Sequence, residues 1–83
     1  RVNNLVPGSI NTDCLRDSVR VQAEALGISF ETRWQGRGGA VPLGRFGEPD
    51  EFGRAGAFVL SEAASYITGE TLVVDGGAMK TVW

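Results

Sequence analysis

The sequence predicts an α/β fold in which helices separate two parallel strands. Short apolar runs over residues 2–6 and 71–75 have the length of strands, and each is closed by a turn, Pro7-Gly8 in the first case and Gly76-Gly77 in the second. Between the two runs, apolar residues recur with helical spacing. Strands separated by helices usually pair in parallel through a right-handed crossover, so these observations favour a parallel pair.

The first helix is predicted over residues 13–26. Thr12 and Asp13 are both candidate N-caps, and Gly27 suits the left-handed residue that follows a helix end. The apolar residues that give this segment its helical face are Leu15, Val19, Ala23 and Leu26.

Residues 28–45 are predicted to form a mobile connector. Ile28, Phe30 and Trp34 have the spacing of one face of a short helix, but residues that break helices follow soon after, at Gly36, Gly38, Gly39 and Pro42. Glycine-rich connectors of this length in a compact chain are more often functional lids than inert links, so we expect a lid here.

The clearest helical pattern lies over residues 47–65. Pro49 suits the first helical position, and the acidic residues beside it favour the positive end of the helix. Its core-facing stripe is Phe52, Ala55, Gly56, Val59 and Leu60. Phe58 falls off this stripe, which predicts a second apolar contact surface. Because parallel sheets are normally wider than two strands and covered on both faces, we expect further polypeptide beside this chain.

Composition excludes several classes of protein. The 83 residues include one cysteine, Cys14, and no histidine, so an intrachain disulfide is impossible and the commonest metal ligand is absent. Eight basic and ten acidic residues are dispersed along the chain, which gives no electrostatic footprint for nucleic acid or an anionic membrane. No apolar run approaches the roughly 20 residues of a membrane span, so a cytoplasmic chain without a metal site is expected.

Several motifs occur together in an informative order. The segments RVNNLVPGSINT and PLGRFGEPDEFGRAGAFVLSEAASYITGETLVVDGG closely resemble the carboxyl-terminal third of classical short-chain dehydrogenases/reductases, including 3-oxoacyl-carrier-protein reductases and sugar dehydrogenases. The resemblance implies a doubly wound, Rossmann-type parallel sheet that binds NAD or NADP at the carboxyl ends of its strands. This chain then supplies a strand and nicotinamide-side loop (1–12), a substrate lid (13–41), the long helix and last strand (42–77) and a tail (78–83).

The resemblance also implies a set of binding residues. Ile10 is expected to offer backbone groups to the nicotinamide carboxamide, and Thr12 its hydroxyl to the carboxamide or pyrophosphate, with Pro7 and Gly8 shaping the strand exit. Outside the family context, Pro7-Gly8 is an ordinary turn and Thr12 only a helix cap. The apolar side chains expected to touch substrate are those of Leu15, Phe30 and Trp34.

The family's glycine-rich phosphate loop and its catalytic serine, tyrosine and lysine are expected upstream of Arg1, so no catalytic residue is assigned here. Tyr66 is followed four residues later by Glu70 rather than lysine, and is interpreted as part of a packed corner that turns at Gly69. Asp75 lacks the further oxygen ligands that calcium needs and is interpreted as the strand exit. The absence of an initiator Met before Arg1 suggests a fragment or processed chain, which we expect neither to fold stably nor to react alone.

Two functional hypotheses follow. The first is an NAD(P)-dependent oxidoreductase that transfers a hydride between the nicotinamide and a carbonyl or alcohol substrate. The alternative is a noncatalytic relative or fragment that acts as an assembly module. The resemblance also implies a homo-oligomer, a tetramer in the family's pattern. In this tetramer residues 48–77 are expected to form a twofold contact through Phe58, Val73 and Val74, with the tail 79–83 near a neighbouring subunit.

Overall fold

A computed structural model describes residues 1–79. Its elements, in chain order, are β1 (Asn4–Pro7), α1 (Asp13–Leu26), α2 (Phe30–Gly39), α3 (Pro49–Leu60), a short 3-10 helix (Glu62–Ala64) and β2 (Thr71–Val74). The two strands pair in parallel, with Leu5 opposite Leu72 and Val6 opposite Val73. The predicted α/β fold with a parallel pair is therefore confirmed.

Strand β1 lies later in the chain than predicted, because it includes Pro7 rather than ending before it. The Asn4 N–H donates to the Glu70 carbonyl at 2.8 Å, and the Gly8 N–H donates to the Val74 carbonyl at 2.9 Å. Since alternate residues of a strand direct their N–H groups to the same side, the Pro7 nitrogen points away from β2. Its missing hydrogen therefore costs no bond between the two strands.

Helix α1 confirms the prediction at both ends. Thr12 is its N-cap, and Gly27 follows it with a φ of 68°. The Gly27 N–H donates to the Glu24 carbonyl at 3.2 Å, and the Ile28 N–H donates to the Ala23 carbonyl at 3.1 Å. These bonds satisfy carbonyls that a helix end would otherwise leave without partners.

Helix α2 corrects the prediction of a mobile connector over residues 28–45, because a regular helix occupies Phe30–Gly39 and does not break at the first glycines. Ser29 caps it by accepting a hydrogen bond from the Thr32 N–H at 3.1 Å, and the helix continues to Gly39. Glycines inside a helix cost about 1 kcal/mol each relative to alanine. Packing offsets this cost, because the Trp34 ring meets the buried Phe46 ring edge-on at 4.5 Å between centroids.

Helix α3 begins with Pro49, as predicted. It packs closely on β1 at Gly56, where an added Cβ would lie only 3.3 Å from Leu5 Cδ2. Phe58 is exposed, which agrees with its position off the stripe. Leu60 was assigned to the core-facing stripe wrongly: it is the last residue of the helix and 83% exposed. The helix stops there because the 3-10 helix turns the chain away.

Tyr66 also departs from its predicted packing role, since its side chain is fully exposed. The buried residue of this corner is Ala64, and Gly69 makes the turn with a φ of 74°, as expected. Asp75 is confirmed as the strand exit: its carboxylate accepts hydrogen bonds from the Gly77 and Met79 N–H groups at 2.9 and 2.8 Å. Within residues 1–79, no helix is long and apolar enough to cross a membrane.

Candidate functional site

A groove of about 580 Å³ opens at the carboxyl end of β1. The exit of β1, the first turns of α1 and α3 and the last turn of α2 form its walls. Its lining residues are Pro7, Gly8, Ser9, Ile10, Thr12, Cys14, Leu15, Ser18, Arg37, Pro49 and Phe52. The structure thus brings together five sequence-predicted site residues, namely Pro7, Gly8, Ile10, Thr12 and Leu15.

The floor of the groove depends on a close approach between the two strand exits. A Cβ added to Gly8 would lie 2.4 Å from Asp75 Cβ and 2.6 Å from Asp75 Cα, which no neighbour can accommodate without backbone movement. The sequence analysis assigned Gly8 to the shape of the cofactor loop. Its immediate role in the structure is to let the two strand exits converge.

The backbone after Gly8 continues as a one-residue parallel bridge between Ile10 and Gly47. The Gly47 N–H donates to the Ser9 carbonyl at 3.0 Å, and the Asn11 N–H donates to the Gly47 carbonyl at 2.7 Å. In a parallel ladder these bonds involve the residues that flank Ile10, so the N–H and carbonyl of Ile10 itself face the opposite side. Within residues 1–79 neither group of Ile10 has a hydrogen-bond partner.

Thr12 combines a structural role with an unused donor. Its Oγ1 accepts a hydrogen bond from the Leu15 N–H at 3.2 Å, which caps α1. A threonine hydroxyl can donate one hydrogen bond while it accepts others. Because the side chain is exposed and lines the groove, its proton is available to an acceptor there.

A polar network that the sequence analysis missed holds this loop against α3. The Asn11 amide donates to both carboxylate oxygens of Glu48 at 3.3 Å, and its side-chain oxygen accepts a hydrogen bond from Arg16. Arg16 also pairs with Asp13. An asparagine just before a helix cap was the available signal, but its partner lies 37 positions away in the chain.

The beginning of α3 is held by an ion pair. Arg45 donates to the two carboxylate oxygens of Glu51 at 2.7 and 2.9 Å, and Glu51 also accepts from the Glu48 N–H at 2.9 Å. The hydrogen bonds from Arg45, followed by the one from the backbone of Glu48, lower the pKa of Glu51 from 4.5 to about 2. Arg45 and Glu48 thus hold the first turn of the long helix through Glu51.

Phe30 and Trp34, the other two predicted lid residues, lie outside the lining of this groove. Their rings stack at 5.4 Å between centroids, and the Trp34 ring also meets the Phe46 ring edge-on at 4.5 Å. Trp34 borders a separate hollow of about 610 Å³ with Gln35 and Arg45. A substrate contact for this pair remains a prediction.

Several lining residues were not singled out from the sequence. Cys14 and Ser18 are four positions apart, so they share a face of α1 beside Leu15, and this spacing was a usable signal. Arg37 and Phe52 come from other helices, and only the tertiary fold places them at the groove. Across residues 1–79, no group of three or more His, Cys, Asp or Glu side chains is arranged to hold a metal ion.

Comparisons with known proteins agree with this architecture. Residues 1–79 match the family described as Enoyl-(Acyl carrier protein) reductase. The chain belongs to the short-chain dehydrogenase/reductase family. The resemblance that the motifs indicated is therefore confirmed.

Relatives of several activities share this part of the family fold. Galactitol 2-dehydrogenase (L-tagatose-forming) of Cereibacter sphaeroides is 45% identical over 83 residues, covering 100% of this chain and 28% of its own. The 3-oxoacyl-[acyl-carrier-protein] reductase of Chlamydia trachomatis is 40% identical over 77 residues, with coverages of 93% and 27%.

Among solved structures, L-sorbose reductase of Gluconobacter frateurii, complexed with NADPH and L-sorbose, superposes with a TM-score of 0.86 at 31% identity. The match covers 96% of this chain and 31% of that enzyme. The chain thus spans less than a third of the length of each of these three short-chain dehydrogenases/reductases. Their sheet is that of the Rossmann-type fold, as predicted.

Proposed function

We propose that this chain forms the nicotinamide-side wall and substrate lid of an NAD(P)-dependent oxidoreductase. The enzyme transfers a hydride between the nicotinamide and a carbonyl or alcohol substrate. The observation that carries this proposal is the exit of β1, where unpartnered backbone groups of Ile10 and the hydroxyl of Thr12 line one groove at the carboxyl ends of parallel strands.

The residues present fit a nicotinamide carboxamide. The carboxamide has one acceptor oxygen and a donor NH₂ group. Ile10 offers one backbone donor and one backbone acceptor, and Thr12 adds a hydroxyl donor suited to the carboxamide or to a phosphate oxygen. When bound, the nicotinamide supplies the hydride chemistry, while this wall fixes the orientation of its ring.

Helices α1 and α2 form the lid in this proposal, with Leu15 as the aliphatic side chain of the lid that lines the groove. Phe30 and Trp34 stiffen α2 through their ring contacts, and their proposed contact is with bulky substrates that extend beyond the groove. The family's serine, tyrosine and lysine belong to the remainder of the enzyme, so this chain is inactive by itself.

The proposal includes an assembly surface over residues 48–77. Phe58 is 45% exposed and Leu72 is 37% exposed, and both border a small hollow between α3 and β2. In the part of the chain that the structure describes, β2 pairs with β1 alone, so its other edge is open to a second copy. The same exposure also favours the alternative function, a noncatalytic assembly module.

Thr12 variants of the full-length enzyme test the proposed site. Thr12→Ser keeps both the cap and the donor, whereas Thr12→Asp keeps a good cap but has no hydroxyl. We expect Thr12→Asp and Thr12→Ala to raise the cofactor KM or lower kcat by a factor that corresponds to about 1 to 2 kcal/mol, and Thr12→Ser to behave as the wild type.

Steady-state kinetics with NADH and NADPH, together with thermal unfolding, separate the roles of Thr12. If only Thr12→Ala lost stability and the cofactor kinetics of all three variants were unchanged, Thr12 would have no role beyond capping α1. A wild-type protein that binds neither nicotinamide would instead support the assembly module.

A further inference from the structure

Among residues 1–79, Arg37 carries the single charged side chain that lines the groove. In the described part of the chain no carboxylate lines the groove, and its other polar lining groups are hydroxyl, thiol and backbone groups. Arg37 lies in the last turn of α2 and is partly buried. The wall that the lid presents to a ligand is therefore mainly apolar with one positive charge.

Arg37 differs from its neighbours in lacking an acceptor. Arg33, one turn earlier, donates from Nε to the Gln22 oxygen at 2.9 Å, and Arg20 pairs with Asp17 at 2.8 Å. Within residues 1–79, the Arg37 guanidinium makes no hydrogen bond and no ion pair. The C-terminal end of a helix favours a positive charge, so α2 stabilises the Arg37 cation. The helix end does not, however, accept a hydrogen bond from any of the five N–H donors of the guanidinium.

Within residues 1–79 no side-chain nitrogen is both buried and without a partner, so the free N–H donors of Arg37 remain accessible to water in the groove. The group that best replaces that water is a planar or tetrahedral oxyanion, because a carboxylate or phosphoryl group can accept two parallel N–H bonds. The apolar side chains of Ile10, Leu15 and Phe52 line the same groove and suit a hydrocarbon segment.

We propose that Arg37 is a specificity-determining residue that binds a carboxylate or phosphoryl group on the substrate, with the substrate's hydrocarbon segment against the apolar wall. This inference rests on the proposed function. The same chemistry exists in the phosphates of the cofactor, and the experiment below separates the two sources.

The test uses the full-length enzyme and pairs of ketones that differ only in charge. Acetoacetate, 4-oxopentanoate and 5-oxohexanoate are each compared with the corresponding methyl ester, with nicotinamide oxidation as the readout. We expect Arg37→Gln to lower kcat/KM for at least one acid by about tenfold or more, and to leave the esters and the cofactor KM within about twofold. Arg37→Lys should lose less of the kcat/KM for the acid than Arg37→Gln, because lysine keeps the positive charge but lacks the paired N–H donors of the guanidinium.

Arg33→Gln is the matched control, since it removes the same charge from the same helix on the side that faces Gln22. It should leave the ratio of acid to ester unchanged. Equal losses for acids and esters in Arg37→Gln would overturn the inference in favour of a purely structural role, and a raised cofactor KM alone would assign Arg37 to the cofactor phosphates.

The outcome for the wild type distinguishes the two proposals. If the wild type reduces the esters and yet has the same ratio of kcat/KM for acid and ester as Arg37→Gln, this result contradicts only the role of Arg37. A wild-type enzyme that reduces none of the six ketones, and that binds no nicotinamide, overturns the proposed function and this inference with it.

Discussion

At the scale of single residues, Gly8 is the glycine within residues 1–79 at which an added Cβ would meet the closest neighbour. Its Cα faces the backbone of Asp75 across the strand exits, and the Asp75 carboxylate holds the following turn through the Gly77 and Met79 N–H groups. A side chain at Gly8 would therefore move a backbone that is fixed on both sides. The loop that presents Ile10 and Thr12 begins at this point.

We expect Gly8→Ala to destabilise the full-length enzyme by about 1 to 3 kcal/mol, the usual cost of overpacking, and to raise the cofactor KM because the loop shifts. Gly36→Ala is the matched control: a Cβ there meets nothing within 4 Å, and alanine is favoured over glycine in a helix by about 1 kcal/mol. Thermal unfolding and cofactor kinetics check both variants. A Gly8→Ala enzyme as stable as Gly36→Ala would contradict this account of the strand exits.

At the scale of elements, local signals predicted some segments and tertiary contacts decided the others. Helix α1 was predictable because Thr12 and Gly27 mark its ends within the segment itself. Helix α2 was not, because Phe46, a residue outside the segment, supplies the packing that offsets its glycines. A sequence pattern carries no information about such a distant contact.

The candidate site shows the same division. Pro7, Gly8, Ile10 and Thr12 lie within six residues, so a motif could predict them as a group. Arg37 and Phe52 reach the groove from α2 and α3, and Asn11 meets Glu48 only after α3 has docked. Residues that meet through folding were therefore missing from the predicted site.

The start of α3 gives a prediction about pH. Because the pKa of Glu51 is lowered to about 2 in the folded protein, its ionised form stabilises the fold at all pH values above about 4.5, and this contribution is lost as the pH falls toward 2. We expect Glu51→Gln to lower the melting temperature at pH 7, and the difference from the wild type to narrow below about pH 4.5.

Asp50→Asn serves as the control, because it removes a charge from the same helical turn and the structure shows no ion pair for Asp50 within residues 1–79. Its effect on the melting temperature should be smaller at pH 7. Melting temperatures of the full-length enzyme between pH 3 and 7 provide the measurement. A Glu51→Gln difference that stays constant over this range would show that the ion pair with Arg45 contributes nothing.

At the scale of the whole molecule, the chain is a slab rather than a sphere. Its radius of gyration is 15.3 Å, against roughly 12 Å for a compact domain of the same length. Its accessible surface of 5862 Å² exceeds the about 4,800 Å² expected for its mass. In residues 1–79, the buried hydrophobic side chains are only Val19, Ala23, Phe46 and Ala64. Such a slab needs other polypeptide against its faces to reach ordinary burial.

Two surfaces of this chain are left exposed to solvent. They are the faces of the sheet and the side of α3 that carries Phe58. The family fold places further strands and helices against the sheet. Phe58 is 45% exposed, whereas Phe52, Ala55 and Val59 are half-buried, so Phe58 leaves apolar area uncovered on the side of α3 that borders β2. A second copy of the chain, related by a twofold axis, would bury Phe58 and its counterpart together.

We therefore expect the full-length enzyme to be an oligomer with an even number of subunits, and Phe58→Glu to reduce its assembly, because the contact would then bring two carboxylates together in an apolar interface. Val21→Glu is the control: Val21 is exposed on α1, outside residues 48–77. Light scattering gives the mass of each variant, and circular dichroism verifies that each is folded. A monomeric wild type would contradict the predicted assembly. A folded Phe58→Glu enzyme with unchanged mass would show that the interface does not include Phe58.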